Sequence, residues 1–215
     1  MKTKLSALII FAIITSTCYS QSKPIDFDYG RIENSKYLNS YFDFEITIPA
    51  NWIIQNKEQM EKMAKAGMDM VIGDDANLKA AVKVSEINTT NLLVVNQYER
   101  GSAVEYNPGI VIVAENIKDY PGIKTGSDYL FQVRKLLNQS QVKYDYIDNE
   151  SSREVISGID FYKMNAGIVY MGIEIKQIYY STVLKGFSFN VIISFINDEQ
   201  KADLITAINS IKFKE

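Results

Sequence analysis

The sequence predicts an α+β domain built on a largely antiparallel β-sheet that is flanked by helices. Apolar and polar residues alternate in several segments, and this period of two is typical of a strand with one buried face. Apolar spacing typical of helices occurs in only three places, and most strand segments follow one another through short connections. A doubly wound parallel sheet would need a helix after nearly every strand, so we expect antiparallel pairing.

The strand segments are recognised by alternation and by their β-branched and aromatic residues. The first strand is predicted between Phe42 and Ile48, before Pro49 ends the segment. The clearest strand is predicted at residues 187–195, where Phe, Val and Ile point one way and Ser and Asn point the other. Further strands are predicted at residues 92–98, 109–114, 142–147, 161–171 and 173–181.

Three helices are predicted from apolar stripes and capping residues. The first begins after Asn56, which forms a capping-box pattern with Gln59, and we expect it to end at Gly67. The second is predicted at residues 125–138, and the third begins at residue 197 or 198. The last strand and the last helix both have strong apolar faces, so we expect them to lie in the core.

Residues 1–20 have the order of a secretory signal peptide. Two lysines near the start are followed by an apolar run at residues 5–14 and then by small and polar residues. Cys18 and Ser20 occupy the two positions that signal peptidase requires to be small, so we predict cleavage between Ser20 and Gln21. An uncleaved anchor is the alternative, but the apolar run is about half of the ~20 residues that span a bilayer.

The predicted export defines both the location and the domain boundaries. We expect residues 21–36 to be a flexible polar leader and residues 37–215 to form a single α+β domain in the periplasm or outside the cell. Lipidation at Cys18 is a minor alternative. The three residues before this cysteine are Thr, Ser and Thr, which match the lipobox of bacterial lipoproteins poorly.

Composition argues against several function classes. The chain has 23 Lys and Arg against 26 Asp and Glu, a net charge of −3, whereas nucleic-acid binding needs a clustered basic face. It has no histidine, and its one cysteine is Cys18. The exported chain therefore lacks the residues of a Ser–His–Asp device and of a Cys/His zinc site. We predict no nucleic-acid partner, no catalytic, cofactor-binding or metal-binding set, and no transmembrane segment after cleavage.

Several residue groups have both a functional and a structural interpretation. The acidic segments 73–77 and 145–150 do not match a calcium-binding loop and are typical of polar turns. A methionine stripe can form an adaptable groove or a soft copper site, but it is most often core; it consists of Met60, Met63, Met68 and Met70. Tyrosines in strands and helices are typical of half-buried packing; they are Tyr129, Tyr146, Tyr162, Tyr170, Tyr179 and Tyr180.

Three local features together resemble the PsbP-like domains. They are the aromatic opening segment that runs into Ile48-Pro49-Ala50-Asn51-Trp52, the Tyr-rich strands in the middle, and residues 186–195 followed by a helix that ends in Asn209-Ser210-Ile211-Lys212-Phe213. The resemblance covers most of residues 37–214. It implies an α/β/α sandwich and a binding, assembly or chaperone-like role, and it assigns no functional residue to this chain.

The sequence leaves three functional hypotheses open. The leading one is an exported, non-enzymatic binding or chaperone-like module that contacts a protein or another component of the cell envelope. A carboxylate-based hydrolase of extracellular glycans would need two acidic side chains that converge ~5–10 Å apart in a cleft. A carrier of an apolar ligand would need a roomy cavity lined by methionine and aromatic residues.

Overall fold

The computed structural model describes residues 27–73 and 88–214 of the 215-residue chain. The predicted signal peptide, the cleavage site at Ser20 and Gln21, and Cys18 lie outside the described residues. No helix within these two ranges combines the length and apolar character needed to cross a bilayer.

The larger sheet contains eight strands within the described residues, and all its pairs are antiparallel. Its path is β4-β5-β6-β11-β10-β9-β7, and β8 also pairs with β9. The strands are β4 (Ile53–Ile54), β5 (Thr89–Asn96), β6 (Gly109–Asn116), β7 (Tyr144–Ile147), β8 (Ser152–Ile156), β9 (Ile159–Tyr170), β10 (Ile173–Leu184) and β11 (Phe187–Phe195).

A second, smaller antiparallel sheet has the order β1-β2-β3-β12. Its last strand comes from the C-terminal end of the described chain and pairs with a strand near the beginning, which closes the domain. The strands are β1 (Arg31–Glu33), β2 (Lys36–Asn39), β3 (Phe44–Thr47) and β12 (Lys212–Phe213).

Three helices are described, and local capping explains where each begins. They are α1 (Lys57–Ile72), α2 (Gly126–Gln139) and α3 (Asp198–Asn209). Asn56, Thr125 and Asn197 each accept a hydrogen bond from the backbone N–H three residues later, which satisfies one of the free donors of the first turn. Asn56 forms the predicted capping box with Gln59.

One face of the large sheet packs against the small sheet and α3 through an aromatic core. Phe189 lies at its centre, with ring centroids 4.9 Å from Phe44 and 5.4 Å from Phe42. Leu204 and Ile208 of α3 belong to the same buried cluster. The last strand and helix therefore lie in the core, as the sequence predicts.

The opposite face carries α2 and α1. Leu130 and Leu137 of α2 pack on Met164 of β9, with Tyr179 of β10 beside them. Helix α1 lies against β5 at the far side of the sheet, and the backbone N–H of Gln141 donates to the carbonyl oxygen of Val71, which links the ends of α1 and α2. The predicted antiparallel α+β sandwich is confirmed.

The structure corrects the prediction for the leader. Residues 27–36, expected to be flexible, include β1 and the first residue of β2. The Phe27 ring lies 4.9 Å from that of Tyr41, and the Asp28 carboxylate accepts hydrogen bonds from the backbone N–H of Ser40 and of Gly30. The sequence gives little indication of β1 because its three residues are all exposed and therefore show no alternation of apolar and polar positions.

The predicted end of the first helix is also wrong. Helix α1 continues past Gly67 to Ile72 and is capped by Gly73, which has a φ of 50°. A single glycine costs a helix only about 1 kcal/mol relative to alanine, which is too little to end it when the next turn continues the pattern.

Candidate functional site

A layer of buried polar side chains lies between the large sheet and α2. Ser181 of β10, and Ser188 and Asn190 of β11, are all buried, although small polar residues that alternate with apolar ones are typical of a wet strand face. The Ser188 hydroxyl donates to Oδ1 of Asn190 at 3.1 Å and lies 3.4 Å from the Ser181 hydroxyl. Because α2 covers these residues, they satisfy one another instead of binding bulk water.

Tyr129 of α2 reaches this layer and binds a buried carboxylate. Its hydroxyl donates a 2.6 Å hydrogen bond to Oε2 of Glu115, which pairs in register with Ser188 and is 8% exposed. Burial, and then the charge of Glu115, raise the pKa of Tyr129 well above its usual value. The phenol therefore stays protonated and holds the carboxylate oxygen in place.

Helix α2 can approach the polar layer because its first residue is a glycine. A Cβ at Gly126 would lie 1.9 Å from the backbone oxygen of Ser181, far inside any contact distance. Glycine at this position lets the first turn of α2 touch β10 directly. This contact sets the depth at which Tyr129 enters the sheet face.

The segment between β6 and α2 is ordered by a series of backbone hydrogen bonds. The N–H of Ile117 donates to the carbonyl of Gly186 at 3.1 Å, that of Tyr120 to Ile117 at 2.9 Å, and that of Ile123 to Tyr120 at 3.0 Å. The Asn116 side chain accepts from the backbone N–H of Lys118. These bonds form a preorganised wall beside the polar layer.

A cavity of about 530 Å³, here named the α1–α2 cavity, lies between the two helices and this segment. Glu115 and Tyr129 line it on the sheet side, and the exposed Asp119 also belongs to its lining. A mostly apolar wall with a few polar groups is typical of small-molecule sites. The apolar wall consists of Met68, Ile117, Tyr120, Ile123, Val133 and Leu136.

Helix α1 supplies the more loosely packed wall of this cavity. Met60, Met63 and Met68 are each partly exposed, so the described part of this stripe is not fully buried core as predicted. Met68 lines the α1–α2 cavity, whereas Met60 and Met63 line two neighbouring cavities. The side chain of Met70 lies outside the described residues. Methionine is unbranched and flexible, so this wall can adapt to different shapes.

A second cavity of about 770 Å³ lies on the other flank of α1. Its lining includes the charged residues Lys57, Glu61 and Lys65, and the Lys57 ammonium lies 5.4 Å from the centroid of the Tyr29 ring. This cavity therefore offers a charged surface of mixed sign. The α1–α2 cavity is smaller but combines an apolar wall with the hydrogen-bonded pair of Glu115 and Tyr129.

The acidic segments singled out in the sequence do not form a site among the described residues. Asp148 accepts hydrogen bonds from the backbone N–H and the side-chain amide of Asn165, at 2.8 Å and 2.6 Å, so it fixes the turn after β7. Residues 74–77 lie outside the described residues. Within residues 27–73 and 88–214, no group of three or more Asp, Glu, Cys or His side chains is placed to hold a metal ion.

Sequence reasoning missed Glu115 and Asp119 and treated Tyr129 only as a packing residue. A signal for Glu115 was present in the segment Gly109–Asn116. Val111, Val113 and Glu115 occupy alternate positions of this strand, so a charged residue continues an apolar face. A carboxylate at such a position needs a buried partner, and that partner, Tyr129, lies on a helix whose docking site the sequence does not specify.

No family model and no curated protein matches this chain. Among solved structures, it is similar to cyanobacterial PsbP (CyanoP) from Synechocystis sp. PCC 6803, with a TM-score of 0.49 and 14% identity over 86% of this chain and 96% of that one. A PsbP protein is thus among its structural neighbours, as the resemblance in the sequence predicts.

Two further solved structures are similar to the chain. One is a crystal structure from Bacteroides thetaiotaomicron VPI-5482, with a TM-score of 0.42 and 10% identity over 86% of this chain; the match covers 50% of that protein's length. The other is LpqN, described as involved in cell envelope biogenesis of Mycobacterium tuberculosis, with a TM-score of 0.42 and 10% identity over 80% of this chain and 83% of that one.

Proposed function

We propose that this protein is an exported, non-enzymatic binding module that holds an apolar ligand in the α1–α2 cavity. The observation that carries the proposal is the cavity itself, which joins an aliphatic wall to one hydrogen-bonded polar pair, Glu115 and Tyr129. Apolar walls drive binding through the area they remove from water, and a few polar groups orient the ligand. This proposal combines two of the hypotheses drawn from the sequence, the binding module and the carrier of an apolar ligand.

The carboxylate-based hydrolase is the less well supported alternative. Glu115 and Asp119 both line the cavity, so an acidic pair is present. However, Glu115 accepts a hydrogen bond from Tyr129, and the wall around it is formed by side chains such as Ile117 and Val133. Such a wall offers few partners for the hydroxyl groups of a sugar, which would lose their hydrogen bonds to water on entry.

Ligand binding is tested with N-phenyl-1-naphthylamine, a neutral probe that becomes fluorescent in apolar surroundings. We expect saturable binding to the purified protein, and we expect Val133→Trp to abolish it because the indole fills the cavity. Phe131→Trp is the matched control, since Phe131 lies on the same helix and is 56% exposed. Circular dichroism of both variants verifies that they fold.

The outcome separates the hypotheses. Loss of binding in Val133→Trp with retention in Phe131→Trp supports the proposal, as does native mass spectrometry that detects a ligand retained from expression. Equal binding by both folded variants would overturn it. Release of reducing sugars from cell-wall polysaccharides by the wild type, abolished in Glu115→Gln, would favour the hydrolase instead.

The proposed export is tested by measuring the mass of the mature protein. We expect the intact mass of the protein purified from cells that secrete it to correspond to a chain beginning at Gln21, since cleavage after Ser20 follows from the spacing of small residues. A mass corresponding to an acylated Cys18 would place the protein on a membrane by a lipid anchor. An intact residue 1–20 segment would contradict the proposed export as a free protein.

A further inference from the structure

The turn between β9 and β10 carries an exposed apolar end, here named the β9–β10 tip. It consists of Val169, Tyr170 and Met171, which are 54%, 47% and 83% exposed. Met171 and Gly172 form the two-residue turn, with φ angles of 51° and 82°, and Tyr170 pairs in register with Ile173. Three consecutive apolar side chains with such exposure indicate a surface that contacts something outside the chain.

The hairpin projects beyond the neighbouring strands of the large sheet. On one side, the register of β9 with β7 reaches only to Ile168, and on the other side, the register of β10 with β11 begins at Lys176. Among the described strands, the segment between these two positions pairs only with itself. The β9–β10 tip is therefore a protruding end, and Val169 and Tyr170 present apolar side chains on its two opposite faces because adjacent strand residues alternate.

The methionine in the turn is unusual for its backbone conformation. A positive φ at the first position of a two-residue hairpin turn favours Asn, Asp or Gly, and a bulky residue in this region of φ is a local outlier. The three comparable turns among the described residues have polar residues there, Asn34, Ser157 and Lys185, with φ angles of 50°, 51° and 51°. Neither turn geometry nor burial favours Met171, so its apolar side chain is explained by a contact outside the fold.

The order of side chains along the hairpin matches the depth of a membrane interface. Met171 lies at the end, Tyr170 and Val169 follow, and the nearest charged residue of the hairpin is Glu174, which pairs with Val169. At about 3.4 Å per residue, this apolar section is roughly 7 Å long, and interfacial proteins bury apolar groups about 5–10 Å into the headgroup and acyl boundary. Tyrosine suits this boundary because its ring is apolar while its hydroxyl stays hydrated.

We propose that the β9–β10 tip inserts into the interface of a lipid bilayer, so that the protein binds membranes peripherally and reversibly. Fluid lipid can surround a projection that is apolar on both faces, whereas a folded partner would need a pocket that encloses it. Glu99 and Glu105 line a groove of about 420 Å³ together with Tyr170 and Met171. Because these carboxylates do not favour anionic headgroups, we assign the binding to apolar contact. This inference goes beyond the proposed function, since the tip lies outside the described lining of the α1–α2 cavity.

Flotation with dioleoylphosphatidylcholine vesicles tests the proposal on the protein purified from cells that secrete it. We expect Met171→Asn to weaken vesicle binding about tenfold or more because it removes apolar area that enters the bilayer, while asparagine suits the positive φ and keeps the turn. Val155→Asn is the matched control. It removes a side chain of β8 that is 57% exposed and whose partner in register, Asp160, lies at the opposite end of β9, so binding should not change. Circular dichroism verifies that both variants fold.

Fluorescence distinguishes insertion from adsorption to the vesicle surface. Tyr170→Trp places an indole at the tip, and we expect lipids brominated on their acyl chains to quench it above the background of Trp52, the single tryptophan of the chain. Val155→Trp should show no quenching beyond that background. Ions screen charge interactions but not apolar contact, so vesicle binding should persist when the salt concentration is raised.

Vesicle binding that depends on Met171, together with quenching in Tyr170→Trp, supports the inference. Absence of binding by the wild type would overturn it and leave a protein partner as the explanation of the exposed tip. Equal binding by Met171→Asn, absence of quenching in Tyr170→Trp, or loss of binding at high salt would also overturn it. Binding of N-phenyl-1-naphthylamine is measured without vesicles, so this inference and the proposed function can fail independently.

Discussion

Neighbouring residues of β11 meet different surroundings on the two faces of the large sheet. Phe189 points to the small sheet and is enclosed by other aromatic rings, among them Phe44 at 4.9 Å and Phe213 at 5.9 Å between centroids. Ser188 and Asn190 point the other way, into a hydrogen-bonded layer under α2 that borders a cavity.

The two faces of the large sheet therefore have different roles: the aromatic face stabilises the fold, and the face under α2 holds the proposed binding site. A close-packed aromatic face contributes hydrophobic burial and dispersion without polar groups that need partners. The opposite face gives up part of that packing to hold Glu115 and Tyr129 beside a cavity that Met68 of α1 also lines. Substitutions on the first face should therefore change the free energy of unfolding, whereas substitutions on the second should change binding more than stability.

The largest expected effect is on the aromatic face. Phe189→Ala removes a ring that is 0% exposed, and we expect it to lower the free energy of unfolding by about 3–5 kcal/mol through lost burial and a residual cavity. Urea denaturation followed by circular dichroism measures the change. Phe131→Ala, at a 56% exposed position of α2, is the control and should change it by no more than about 0.5 kcal/mol. Similar losses in both variants would contradict the assignment of the core.

The next effect concerns the contact between α2 and β10. Gly126→Ala places a methyl group 1.9 Å from the Ser181 backbone oxygen, so α2 has to move outward. We expect a loss of about 1–3 kcal/mol in the free energy of unfolding and weaker binding of N-phenyl-1-naphthylamine, because Tyr129 leaves Glu115. Gly122→Ala has no atom within 4 Å of the added Cβ, so its stability should stay close to that of the wild type. An unchanged Gly126→Ala variant would show that α2 does not need this approach.

The two faces also differ in how well the sequence predicts them. The sequence predicts β11 with its observed bounds because Phe, Val and Ile alternate with polar residues at every position except Ile192. The same alternation predicts a wet face for Ser188 and Asn190, which α2 covers instead. The period of two predicts which side chains of one strand share a face. It does not predict whether a helix from another part of the chain packs on the second face. That docking depends on Gly126, whose role is visible only when the two elements are placed together.

Short elements were missed for a related reason. Strands β1 and β12 have three and two residues, too few for a period to be recognised. Their pairing is long-range, since Phe213 of β12 pairs with Phe44 of β3. The site was missed because Glu115 and Tyr129 belong to separate elements, and no spacing along the chain links a strand carboxylate to a helix phenol.

Alkaline pH tests the buried phenols of both faces. Burial raises the pKa of Tyr37, on the small sheet, to about 12, and burial together with Glu115 raises the pKa of Tyr129. The folded state then keeps protons that the unfolded state loses above about pH 10, so stability is constant below that pH and falls as the pH rises towards the folded pKa. Each such tyrosine contributes a slope of about 1.4 kcal/mol per pH unit.

The measurement is urea denaturation between pH 8 and pH 11.5, with tyrosinate absorbance recorded in parallel. We expect Tyr37→Phe and Tyr129→Phe each to make the fall in stability above pH 10 less steep than in the wild type. A stability that rises above pH 10 would have the wrong sign for suppressed ionisation.

The smallest effect is expected in α1, the least buried of the three helices. Gly67 lies within this helix and has no atom within 4 Å of an added Cβ, so Gly67→Ala should raise the free energy of unfolding by about 0.5–1 kcal/mol through helix propensity alone. Gly158→Ala is the matched control. It also has open space around it, but its φ is +80°, so the same substitution should destabilise the protein. A destabilising Gly67→Ala would mean that α1 is closely packed at this position. The contrast between the loosely packed α1 and the aromatic core around Phe189 would then be lost.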